Sequence, residues 1–148
     1  MKSHFRLKRH NIKEEFINIL ERGWKEKGSN ILFLIGQGGY GKTTLINDFH
    51  ESTRKDLRFK RLSVMDLRNV NFHGIDALIN KIWLDLTDQN IDDTFSTLKS
   101  FQKTEMIRNK LEYTSEIVII FFDTFESLSN QERHTLVVNF LGTLNNTV

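Results

Sequence analysis

Lys42 and Thr43 close a glycine-rich run, Gly36-Gln37-Gly38-Gly39-Tyr40-Gly41-Lys42-Thr43, which satisfies the spacing G-x-x-x-x-G-K-[ST] in full. Each residue type in that spacing suits a phosphate-binding loop. Glycines let the backbone wrap tightly enough for successive N–H groups to point at phosphate oxygens. A helix opening at this point adds the positive end of its dipole. The Lys42 ammonium reaches β- and γ-phosphates as a mobile point charge, and the Thr43 hydroxyl completes the octahedral oxygen shell that Mg²⁺ prefers. Average residue usage produces the bare pattern in about one in a few hundred chains of this length. A strand before it and a helix after it make coincidence rarer still. The expected ligands are ATP and Mg²⁺, with Gly36, Gln37, Gly38, Gly39, Tyr40, Gly41, Lys42, Thr43 and Thr44 lining the nucleotide; Tyr40 only fills a variable position.

A phosphate loop of this kind needs a carboxylate at the end of a neighbouring strand to hold Mg²⁺ through water. Asp123 directly follows the apolar run Ile117-Val118-Ile119-Ile120-Phe121-Phe122 and stands where that group belongs. Metal contact is therefore expected from Thr43 and Asp123. Glu126 lies three residues further on and has two open readings, polarising the attacking water or capping a surface turn. Lys42, Asp123 and Glu126 are the candidate catalytic set. Asp66 is a third carboxylate on the same expected edge. Arg54, Arg58, Arg61 and Arg133 read as solvated charges, any of which would alternatively serve as an arginine finger toward a neighbouring subunit. His73 and His134 have no partner at metal or catalytic spacing.

These groups need elements to hold them. Ile12, Phe16, Ile19, Leu20 and Trp24 recur at helical spacing and predict an amphipathic helix ending near Gly28. Ile31 to Ile35 is a short unbroken apolar run, the pattern of a strand buried on both faces. The loop follows, then a helix from Thr44 to about Thr53 with Leu45, Ile46 and Phe49 inward. Phe59 to Leu67 alternates weakly as a strand. Ile75, Leu78, Ile79, Ile82, Trp83 and Leu86 mark a further helix, Asp85 to Asp93 a connection, and Phe95 to about Tyr113 another helix with Leu98, Ile107 and Leu111 inward. Ile117 to Phe122 is the strongest strand. Ser129 and Glu132 have capping-box spacing and open a last helix, with Gly142 placed to stop it. Strands alternating with helices predict an α/β layered fold with a mainly parallel sheet.

Composition agrees with a globular domain and excludes several classes. The chain has 148 residues, 39% of them apolar and 27% charged, with twelve phenylalanines to fill a core. It has no cysteine, so disulfides and thiolate metal sites are excluded. No apolar run approaches the ~20 residues of a membrane span, and no signal-peptide pattern follows the basic start. The expected location is cytoplasmic. A net charge of +2 is too small to imply nucleic acid, although Lys2, Arg6, Lys8, Arg9 and Lys13 form one basic cluster and Arg54, Lys55, Arg58, Lys60 and Arg61 a second.

Gly38-Gly39-Tyr40-Gly41-Lys42-Thr43-Thr44-Leu45 resembles the GGxGKTTL phosphate loop of STAND-type signalling NTPases and their AAA+-like relatives. Asp123-Thr124-Phe125-Glu126 resembles the Walker B ending of some bacterial members. The resemblance spans roughly Phe5 to Leu144. It implies a three-layer P-loop NTPase fold and phosphate contact by Gly41, Lys42 and Thr43. It further implies Mg²⁺ ligation by Thr43 and water-mediated contact by Asp123. Residues 1–28 would be a lead-in segment and residues 29–148 the NTPase core. Phe5 to His10 is a degenerate form of the phenylalanine–glycine–arginine box seen ahead of the first helix in such proteins. Thr124 occupies a place where a second acid is common, which implies slow hydrolysis. The group also has a further strand that inserts beside the Walker B strand, and Val148 falls where it should begin. On that expectation the chain is the N-terminal part of a longer protein and melts no higher than ~65 °C.

The leading functional expectation is an ATP-dependent switch in a larger regulatory protein, self-associating or meeting protein partners through other regions. ATP is preferred because no [NT]-K-x-D guanine-reading motif is present; Asn80-Lys81-Ile82-Trp83 starts correctly but lacks the Asp. A nucleic-acid-handling ATPase is the alternative, motivated by the basic clusters. A small-molecule kinase is less favoured, because only Arg133 follows Ser129 where an arginine-rich lid is needed. A chain that binds nucleotide without hydrolysing it stays open.

Overall fold

The computed structural model describes residues 9–26, 41–72, 74–88 and 93–145. The strand expected at Ile31–Ile35 lies outside them. The described elements are α1 (Arg9–Glu26), α2 (Lys42–Ser52), β1 (Phe59–Asp66), α3 (Ile75–Thr87), α4 (Asp93–Thr97), α5 (Ser100–Tyr113), β2 (Ile117–Asp123) and α6 (Asn130–His134). A π-helical stretch, Thr135–Leu141, and α7 (Gly142–Asn145) continue α6.

Among the described residues β1 and β2 pair in parallel, running from Phe59 opposite Ile117 to Asp66 opposite Asp123. Side chains alternate across a strand, so β2 serves two cores at once. Ile119 and Phe121 face α1 and α2, together with Phe16, Ile46 and Phe49. Val118, Ile120 and Phe122 face a larger core built from α3, α4, α5 and the π-helical stretch. Helices on both faces of a parallel sheet make the three layers.

A register shift between Arg61 and Val64 puts one extra residue into β1. This bulge lets Leu62 and Met65, three positions apart, share the larger core. Arg61 and Val64, opposite Ile119 and Phe121, take the other face. The Ser63 N–H donates to Asp85 Oδ2 at 2.9 Å, and Lys81 Nζ meets Asp85 Oδ1 at 2.7 Å. Burial pushes the Asp85 carboxyl up, but these donors outweigh it and hold the group below its ordinary range.

Two expectations about helices need correction. The helix expected over Phe95–Tyr113 breaks after Thr97, because Lys99 is extended (φ −72°, ψ 155°) and α5 starts afresh at Ser100. The Lys99 N–H, which a continuous helix would direct at its own preceding turn, donates to Gln102 Oε1 at 2.9 Å. The break turns Phe95 onto Trp83 at 4.7 Å between ring centroids. Gly142 does not stop the last helix. Its backbone stays right-handed (φ −61°, ψ −41°), its N–H donates to Val137 O as the π pattern requires, and the helix runs on to Asn145.

The larger core also holds a cation. Lys103 is 2% exposed, and its Nζ donates to both Asp76 oxygens (3.1 and 3.0 Å) and to Asn80 Oδ1 (3.1 Å). The ammonium lies 5.4 Å from the centre of the Phe95 ring. These bonds tie α5 to α3. Asp76→Ala strands the buried charge and is expected to cost about 3 kcal/mol, whereas Lys103→Met keeps the volume and should cost under about 1 kcal/mol. Urea unfolding of the two variants checks the asymmetry.

Candidate nucleotide-binding site

Gly41 precedes α2 with φ 77° and ψ 26°, a left-handed conformation that glycine adopts without strain. Its carbonyl accepts from the Leu45 N–H at 3.0 Å, closing the first helical turn. Lys42 is therefore the first residue of α2, with the exposed Thr43 and Thr44 behind it. Gly36 to Tyr40 lie outside the described residues.

The opposite wall is the C-terminal end of the sheet. Asp123 ends β2 and is 5% exposed; its Oδ1 accepts from the Thr124 N–H at 2.8 Å. Thr124 has φ 60° and ψ 41°. For a β-branched residue that is an outlier, of a kind that costs about 1–3 kcal/mol and persists only where its surroundings hold it. Its hydroxyl donates to Asp66 Oδ1 at 3.2 Å, and its carbonyl accepts from the Ser127 N–H and hydroxyl at 3.0 and 2.8 Å. The 3₁₀ turn Phe125–Ser127 then brings Glu126 Oε1 to 3.8 Å from Lys42 Nζ. The start of α2 and the end of β2 thus meet. Arg133 steadies the same turn, donating to the Glu126 carbonyl at 2.8 Å with its guanidinium 5.8 Å from the centre of the Phe125 ring.

Asp66 ends β1 beside Asp123 and is clamped by Arg68, whose Nη2 lies 2.7 Å from Oδ2 and whose backbone N–H donates to Oδ1 at 3.0 Å. Arg68 above all, with its own N–H and the Thr124 hydroxyl, lowers the Asp66 carboxyl from 3.8 to about 2. A depressed carboxylate pKa favours the folded state above the unfolded value, and the benefit is lost as pH falls from about 4 to about 2. Asp66 is exposed enough that solvent screening limits this to roughly 0.2–1 kcal/mol. Urea unfolding at stepped pH should show wild type and Asp66→Asn diverging at neutrality and converging near pH 2.

The second basic cluster is not a plain solvated face. Arg58 bridges Glu21 of α1 (2.8 Å) and Asp56 (2.7 Å), and Arg61 meets Glu51 of α2 at 3.2 Å and donates to the His50 carbonyl at 2.6 Å. Lys60 pairs with Asp88 at 2.7 Å and Arg54 with Glu51 at 3.8 Å. His134 is exposed, and His73 lies outside the described residues. Sequence reasoning misses Arg68. The one signal for it is its place two residues beyond a carboxylate that ends a strand.

The donors present suit Mg²⁺. Among the described residues no three His, Cys, Asp or Glu side chains converge as a metal cage. Thr43 and Asp123, at the two meeting ends, carry hard oxygen donors of the sort Mg²⁺ takes one or two at a time while sharing phosphate oxygens. Among the described residues no helix is long and apolar enough to cross a membrane.

Comparison with curated proteins and with solved structures found no match. The NB-ARC domain, however, matches residues 9–138, from the first turn of α1 through β2 into the π-helical stretch. NB-ARC domains bind nucleotide through a P-loop NTPase fold and serve as signalling switch modules. A match over that span covers both described strands and every described group at their ends, and the chain belongs to the NB-ARC family of STAND P-loop NTPases.

Proposed function

We propose that the chain binds ATP with Mg²⁺ at the junction of α2 and β2, hydrolyses it slowly, and so switches a larger regulatory protein between two states. The observation that carries this reading is the 3.8 Å approach of Lys42 to Glu126, which joins the helix opened by Gly41-Lys42-Thr43 to the carboxylate-bearing end of the sheet. Gly36 to Thr44 would cradle the phosphates, with Lys42 meeting the β- and γ-oxygens. Thr43 and, through water, Asp123 would hold Mg²⁺, which when bound neutralises charge developing on those oxygens. Glu126 would accept a proton from the attacking water once phosphate draws Lys42 away. Hydrolysis is slow on this reading because Thr124, next to Asp123, adds no carboxylate, and Glu126 accepts the proton only after Lys42 has left it.

Partners would be further copies of the chain or other signalling proteins, in the cytoplasm. Nucleic acid is the weaker alternative, because Arg54, Arg58, Lys60 and Arg61 already meet carboxylates of the chain itself. A thermal melt with Mg-ATP, Mg-GTP or neither tests the proposal. ATP should raise the midpoint and GTP should raise it less. A cooperative melt that neither nucleotide moves would refute nucleotide binding, and a larger shift with GTP would overturn the ATP preference. Salt-dependent DNA affinity would favour the alternative.

A further inference from the structure

The left-handed backbone of Thr124 needs an explanation, because a threonine gains nothing there by itself. Its two ends do different work. The N–H binds Asp123 Oδ1 at 2.8 Å, and the hydroxyl binds Asp66 Oδ1 at 3.2 Å on the neighbouring strand. Asp66 is in turn gripped by Arg68, and the Leu67 N–H donates to the Asp123 carbonyl at 3.0 Å. The strand ends are thereby linked from Arg68 through Asp66 and Thr124 to the Asp123 carboxylate. The positive φ also sets the direction in which the chain leaves β2, toward the turn that brings Glu126 to Lys42.

We propose that Thr124 is a positioning residue for metal binding: anchored by its hydroxyl on Asp66, it holds the Asp123 carboxylate in the orientation that receives a water of the Mg²⁺ shell. The inference rests on the nucleotide-site reading above. Threonine carries out this role without a carboxylate of its own. Serine keeps the hydroxyl and should keep the function. Valine keeps the size and β-branching but loses the anchor. Glycine adopts the left-handed backbone freely yet also loses the anchor. Asp66→Ala removes the acceptor and leaves Thr124 untouched.

The test titrates Mg²⁺ against binding of a fluorescent ATP analogue, on wild type, Thr124→Ser, Thr124→Val, Thr124→Gly and Asp66→Ala. Asp123, meeting Mg²⁺ through water, is an outer-shell group, and such groups are typically worth 10–100-fold in metal affinity. The Mg²⁺ concentration giving half-maximal enhancement of binding should rise by about tenfold in the valine, glycine and alanine variants, at the lower end of that range. In Thr124→Ser it should stay within about twofold of wild type. Affinity in EDTA should be unchanged in every variant, a readout that general loosening of the fold would move. A wild-type Mg²⁺ midpoint in a folded Thr124→Val or Asp66→Ala would overturn the proposal. Should valine prevent folding, the glycine variant, which relaxes the backbone, decides the matter by the same criterion. If wild type itself bound no nucleotide, the site reading would fail and this inference with it, an outcome distinct from wild-type binding with unaltered variants.

Discussion

Lys42→Ala is expected to remove most of the stabilisation that Mg-ATP confers, while leaving the ligand-free chain almost as stable as before. Ligand at a hundred times its dissociation constant stabilises a folded chain by ~2.7 kcal/mol, or about 5–10 °C for a chain of this size. Losing a charged donor to phosphate costs ~1.5–3 kcal/mol of binding. At the same ATP concentration, the remaining stabilisation is then roughly 0.3–1.3 kcal/mol. Lys42 pairs with Glu126 at 3.8 Å, and Glu126 is largely exposed. Pairs of that kind contribute about 0–1 kcal/mol. A melt of both chains with and without Mg-ATP therefore separates ligand contact from folding. Equal shifts in both would mean that the phosphates are bound elsewhere.

Phe49→Ala is expected to have the largest effect on the fold itself. Phe49 stacks on Phe16 at 4.2 Å between centroids with planes 12° apart, and both are buried with Ile46 and Phe121. Its ring joins α1, α2 and β2, so truncation leaves a cavity that no single element can close. Phenylalanine-to-alanine changes in such sites cost about 3–5 kcal/mol, against a total stability of ~5–15 kcal/mol for an ordinary domain. Urea unfolding gives the difference directly. Phe101, also an aromatic on a helix but exposed, serves as the control and should change stability by no more than ~0.5 kcal/mol. Because Phe49 lies on the helix that Lys42 opens, Mg-ATP should recover part of the loss in Phe49→Ala, by linkage.

Signals local in sequence are legible from the residues alone. The apolar run Ile117–Phe122 reads as a strand from its composition, and the strand extends through Asp123, the carboxylate that its end requires. Ser129 and Glu132 form the reciprocal cap that their spacing announces, at 3.2 and 2.7 Å, because both partners sit within one helical turn. Helix α3 follows its periodicity to within a residue at Thr87. The break at Lys99 has no such signal, since no glycine or proline marks it and the gain comes from Phe95 stacking on Trp83, a contact with another helix.

A layered α/β chain with a phosphate-loop spacing is written in the residues alone, because motif spacing and hydrophobic period are properties of contiguous residues. What meets at the strand ends depends instead on packing between distant segments. Parallel pairing of β1 with β2 sets Asp66 beside Asp123, although they are far apart along the chain, and the bulge after Arg61 lets Val64 join Phe121 on the face of α1 and α2. That register gives the Thr124 hydroxyl an acceptor, and with it a backbone conformation that no propensity for threonine would suggest. Lys42 and Glu126 come together for the same reason, since their approach depends on where two elements pack rather than on either segment alone.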